Sequence, residues 1–138
     1  MSLTIHDLIR DYLSAAQNNI QVMRRHFGIS NLLRARGEGL IPAQGNVQGE
    51  DALEFSFHGM GCAVKTKDYM VDFDFDANSE CNSFDAWRLM LFAESQPGRY
   101  GALEQRDHIE RELKDLEQKG VITKAKNLPN SSFYKMAL

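Results

Sequence analysis

Three short stretches carry side chains whose types and spacing bear on chemistry. In Asp72-Phe-Asp-Phe-Asp76, three carboxylates alternate with two phenylalanines. Alternate residues of a strand share a face and stand about 7 Å apart along it. The carboxylates would then form a row suited either to a hard cation with oxygen ligands or to a basic partner. Asp74, Asp76, Asn78, Glu80, Asn82 and Asp85 also fit the ligand spacing of a calcium loop. However, Ser79 stands where that loop needs Gly and Asp85 where it needs a bidentate Glu. His58-Gly-Met-Gly-Cys62 brings an imidazole near a thiol, the ingredients of an activated nucleophile. Strand alternation sends Cys62 inward and leaves His58 in a turn, so the two are not expected to meet. In Phe84-Asp-Ala-Trp-Arg-Leu89, Trp87 and Arg88 are types favoured at interface hot spots. The competing expectation puts Trp87 in the core and pairs Arg88 with Asp72 or Asp74.

The elements that must position these groups follow from hydrophobic period. Ile5, Leu8, Ile9, Tyr12, Leu13, Ala16, Ile20, Met23 and Phe27 form a helical stripe. Thr4 and Asp7 make a capping box before it, and Gly28 a left-handed cap after it. A helical turn is expected over 30–35, then a long glycine-rich loop over 36–50. The period then becomes two. Leu53, Phe55 and Phe57, then Met60, Cys62 and Val64, then Tyr69, Val71, Phe73 and Phe75 read as a three-stranded antiparallel meander. Two-residue turns at His58-Gly59 and Lys67-Asp68 put every apolar residue on one face. They place Ser56, Gly61 and Asp74 in one row of the other face, and Glu54, Ala63 and Asp72 in the next. A dense apolar helix is expected over 84–96 with Phe84, Trp87, Met90 and Leu91 inward, and another over 102–119. The latter is laced with i,i+4 pairs such as Asp115/Lys119. Val121 to Ala125 and Phe133 to Ala137 read as a closing hairpin. The fold class is α+β, in one domain over 1–138.

Composition excludes several classes. Of 138 residues, 43% are hydrophobic and 25% charged, as in a folded globular chain. A net charge of −3 argues against nucleic acid as partner. No apolar run is long enough to span a membrane, and residues 1–10 do not read as a signal peptide. Cys62 and Cys81 lack metal-type spacing and read as reduced thiols of a cytoplasmic protein.

His58-Gly-x-Gly-Cys62, Val71-Asp-Phe-Asp-Phe75 and Phe84-Asp-x-Trp-Arg-Leu89 together resemble the signature of a small bacterial domain family of unknown function. The likeness runs from Asn31-Leu-Leu-Arg-Ala-Arg36 to the C-terminal hairpin. It brings no activity or cofactor with it. The setting of such proteins, near polymorphic or contact-dependent toxins, implies an immunity role.

The expectation is therefore a non-catalytic protein-binding domain, with no cofactor and no resident metal. Its surface comprises Glu54, Asp72, Asp74, Asp76, Glu80 and Arg88 and covers a basic patch on a protein partner such as a toxin. Charge reversal at Asp74 and Asp76 would weaken binding and leave the fold intact. Two alternatives are a metal or small-ligand site on Asp72, Asp74 and Asp76, and a winged-helix-like regulator built on the last helix and hairpin.

Overall fold

The computed structural model describes residues 3–128 and 131–137, with the side chains of 127, 128 and 131 left aside. Its architecture is α+β, as the periodicity predicts. Helix α1 spans Ile5–Phe27. The capping box forms as expected: the Asp7 amide donates to Thr4 Oγ1 and the Thr4 amide donates to Asp7 Oδ2. Gly28 closes the helix at φ 66°. Helix α2 is Leu32–Gly37, with the Asn31 side chain accepting from the Arg34 amide.

The segment expected to be loop contains a further strand. β1 (Gln44–Val47) pairs antiparallel with β2 (Leu53–His58), which pairs with β3 (Gly61–Lys65), which pairs with β4 (Met70–Asp74). The meander thus has four strands in the order β1-β2-β3-β4. Four residues containing Gly and Asn give no periodic signal, and β2 supplies the pairing that local propensity does not.

The β3–β4 register is as expected, with Cys62 opposite Phe73 and Val64 opposite Val71. The β2–β3 register is not. Phe57 faces Cys62 and His58 faces Gly61, so the turn is Gly59-Met60 in place of His58-Gly59. A primed hairpin turn needs left-handed φ at its first central position, and Gly59 supplies it at 51°. The slip amounts to two residues along the partner strand, which preserves the faces. It nonetheless sends Met60 out of the core to 59% exposure. It also changes the outer rows to His58–Gly61–Asp74, Ser56–Ala63–Asp72 and Glu54–Lys65–Met70.

The inner face of the sheet, Leu53, Phe55, Cys62, Val64, Val71, Phe73 and Phe75, is buried against α1 and the helix that follows β4. Edge-to-face contacts run through it, from Phe27 to Phe55 at 5.6 Å and from Phe73 to Phe75 at 5.3 Å. The outer face leaves Glu54, Ser56, His58 and Lys65 exposed.

Helix α3 is Ala86–Glu94, shorter than expected because Phe84 leaves the helix to bridge Tyr134. Leu89, Phe92 and Ala93 are its buried face; Trp87, expected inward, is 45% exposed. The expected last helix is broken into a 3-10 turn at Gly101–Glu104 and α4 at Arg106–Gln118, because Gln105 is extended at φ −108°, ψ 130°. Asp115–Lys119 forms at 2.8 Å as predicted. β5 (Ile122–Leu128) and β6 (Ser131–Met136) make the hairpin, with an irregularity between Lys124 and Lys126.

Gly61 fits this register for a steric reason. A Cβ there would overlap the Phe73 carbonyl oxygen and lie 2.8 Å from Asp74 Oδ1. Gly61→Ala is expected to destabilise the chain by about 1–3 kcal/mol through overpacking, read as a lower urea midpoint. An unchanged midpoint would refute the close approach.

Candidate functional site

The three chemistry-bearing stretches converge. β4 delivers Asp72 and Asp74 to the outer face, the β2–β3 hairpin delivers His58 and Gly61, and the start of α3 delivers Asp85 and Arg88. Asp85 caps α3 by accepting from the Arg88 amide at 2.9 Å, an arrangement Asp favours at that position. One turn later the Arg88 guanidinium returns, with Nη1 donating to Asp85 Oδ2 at 3.0 Å and Nη2 to Asp74 Oδ1 at 3.3 Å. The second oxygen of Asp74 accepts from Lys126 Nζ at 3.1 Å. Both cations lie over the Phe133 ring, at 4.7 Å for Arg88 and 4.3 Å for Lys126. Burial works against the charge on Arg88, but Asp85 and Asp74 outweigh it and raise its pKa above the ordinary value.

A second cluster continues along the loop after β4. Asp76 curls back on its own chain, its Oδ1 accepting from the Asn78 and Glu80 amides and its Oδ2 from Asn82 Nδ2. Ser79 is fully buried at a left-handed φ of 57°. Its hydroxyl donates to Asn31 Oδ1 and accepts from the Leu33 amide. Arg24 of α1 completes the strap, donating to the Asn78 and Ser79 carbonyls and to Glu80 Oε1.

These placements revise the expected surface. Arg88 pairs with Asp74 as anticipated, and Lys126 supplies a second cation. The aspartates do not stand uniformly wet. The Asp72 side chain is 20% exposed and bonded to His58 Nε2 at 2.6 Å, and that of Asp74 is 13% exposed. Reversing Asp74 would put a cation between Arg88 and Lys126, so the expectation that the fold tolerates it is withdrawn. Asp76 and Glu54 are exposed and Glu80 half-buried. Sequence reasoning missed Lys126 and Phe133, because Lys126 reaches Asp74 across more than fifty residues, Phe133 lies beneath Lys126 and Arg88, and no local pattern encodes either contact.

The calcium-loop alternative does not assemble. Asp74 faces two cations, Asp76 its own loop and Asp85 the start of α3. Among the described residues, no three His, Cys, Asp or Glu side chains gather as a metal set. Cys62 and His58 point to opposite faces; Cys62 and Cys81 are buried, and desolvation pushes both thiols up to about 12. A thiol held neutral in this way is a poor nucleophile. Trp87, turned outward, carries Arg106 at 5.7 Å over its ring.

Fold and site together define a small α+β domain whose charged side chains form an ordered network beside an open sheet face. Residues 5–135 match the family model described as a domain of unknown function, DUF6896, and the chain belongs to that family. This agrees with the resemblance read from the three motifs. No curated protein and no solved structure matches the chain. No described helix is long and apolar enough to cross a membrane.

Two outcomes follow. Arg88→Met removes the guanidinium that pairs with both Asp74 and Asp85 and is expected to cost about 3 kcal/mol in chemical denaturation; a loss under about 1 kcal/mol would mean that the network is not structural. The folded thiols keep their protons above pH 9, whereas the unfolded ones release them near 9.0. The unfolded state then binds fewer protons, so stability is full below pH 9 and falls as pH climbs toward 12, by up to about 1.4 kcal/mol per unit for each thiol. The Cys62→Ala/Cys81→Ala variant should lack that added slope in urea midpoints taken between pH 8 and 10.

Proposed function

We propose that this chain is a non-catalytic protein-binding domain whose partner rests on the outer sheet face and the 76–80 loop, through Glu54, Asp72, Asp74, Asp76, Glu80 and Arg88. The observation that carries this reading is that Asp72, Asp74, Asp76 and Glu80 are held in place by internal donors beside an exposed face. An ionised carboxylate has about four lone-pair sites, so each retains acceptor capacity after its internal bonds. Groups already ordered lose little further freedom when a partner docks. A purely stabilising role is less well served by such a network, since apolar residues often stabilise as well as a buried ion pair.

The acceptors favour a partner that brings Lys or Arg, and electrostatic complementarity of that sort governs association rate and specificity. An antitoxin-like immunity role, with a basic toxin as the partner, is the specific form implied by the resemblance of the motifs. The domain would act in the cytoplasm by covering the toxin's basic patch.

The test uses the tagged chain to capture its partner from the native host, followed by calorimetric titration of the purified pair. Glu54→Lys and Asp72→Lys should each weaken binding about tenfold, roughly 1.4 kcal/mol, while Lys114→Glu on α4 leaves it unchanged. Equal losses at all three positions, or none at Glu54 and Asp72, would sink the assignment of this face.

A further inference from the structure

The two edges of the sheet are treated differently. In β4 the odd residues bond to β3, as the Phe75 amide to Met60 carbonyl bond shows, so Met70 and Asp72 turn their backbone groups outward. The chain itself supplies partners for the Met70 amide and carbonyl and for the Asp72 carbonyl. The Met70 amide donates to Ser95 Oγ at 2.9 Å, and the Asp72 carbonyl accepts from Tyr12 Oη at 2.6 Å. In β1 the Phe57 amide donates to the Ala43 carbonyl, so Ala43, Gly45 and Val47 face β2, and Gln44 and Asn46 turn outward. Among the described residues, no hydrogen bond reaches the outward amides and carbonyls of Gln44 and Asn46, and both residues are exposed.

Exposed edges are ordinarily blunted by charge, proline, a bulge or a covering segment. Within Gln44–Val47 β1 has neither charge, proline nor bulge; Pro42 lies two residues before the strand, and no charged side chain occurs from Leu40 to Gly49. We propose that β1 is a self-pairing edge, joining two copies of this chain antiparallel about a two-fold axis at Gly45 into one continuous sheet. The strand is self-complementary in three respects. Gln44 of one copy lies opposite Asn46 of the other, twice, which completes four backbone hydrogen bonds and sets two pairs of carboxamides side by side. Gly45 meets its own copy at the non-hydrogen-bonded position, where Cα atoms approach to about 4.5 Å, and it brings no side chain there. An uncharged strand also brings no like charges together at the axis, as any charged edge would. A heterologous peptide would gain from charged anchors on the edge, and β1 offers none. Because the pairing lies in the plane of the sheet, the outer face stays open, and this inference stands apart from the proposed function.

An interface of so few residues falls below the usual size for a stable complex, so the dimer is weak, with a dissociation constant on the order of 0.1 mM. Sedimentation of the full chain between about 10 µM and 1 mM should show the mass rising from 15.7 kDa toward twice that value. Asn46→Lys places like charges near the axis, and Asn46→Pro removes an outward donor and no intramolecular ladder bond. Each should hold the chain monomeric at the highest concentration. The circular dichroism spectrum of Asn46→Lys confirms folding and keeps the test decisive if the proline variant misfolds. A wild-type chain monomeric at about 1 mM, dimerisation indifferent to the Asn46 variants, or a mixed complex with a different protein displacing the self-pair would each overturn the proposal.

Discussion

The contact on which the arrangement depends is the seat of one guanidinium. Arg88 leaves the first turn of α3, returns to the residue that caps that turn, and reaches across to the end of β4, with the Phe133 ring beneath it. A single side chain therefore ties a helix start, a sheet strand and the closing hairpin. Only arginine has the planar fork for this, because a lysine ammonium cannot address two carboxylates and an aromatic face in fixed directions. The nearly buried Asp85 is matched by that cation, since burying a carboxylate away from a compensating charge is strongly unfavourable. The sequence order Phe84-Asp-Ala-Trp-Arg-Leu89 supplies the bridge residue, cap, cation and core residue within one turn and a half, while Trp87 is left to the surface.

How much of this was legible depends on the range of the interaction. α1, its capping box and its glycine stop were readable because all the deciding contacts are local. The inner and outer faces of β2, β3 and β4 were readable because alternation fixes sidedness whatever the register. The β2–β3 register was missed because Gly59 can serve at either central position of a hairpin turn, and the local pattern does not choose between them. β1 was missed because Gln-Gly-Asn-Val is a strand only by virtue of its neighbour. The pairing of Arg88 with Asp74 was legible as charge matching. Lys126 was invisible to the same reasoning, since placing it requires the path of the whole hairpin relative to the sheet.

The location of charge on the sheet also differs from that of a simple acidic patch. Each carboxylate of the expected row has an internal donor, so the outer face presents oriented acceptors and not a diffuse negative field. Such a surface is selective in geometry more than in net charge. It discriminates partners by where their donors lie, and is less sensitive to salt than exposed carboxylates would be.

Asn31 gives the loop after β4 an uncommon economy. Its one carboxamide starts α2, clasps the Ser79 hydroxyl and holds the Ala77 carbonyl, so the helix and the loop hang from a common latch. Neither can loosen without releasing the other. The stretch from Ser30 to Gly37 and that from Asp76 to Glu80, distant in the chain, thus form a single breathing unit, and protection from solvent exchange would rise and fall in both together.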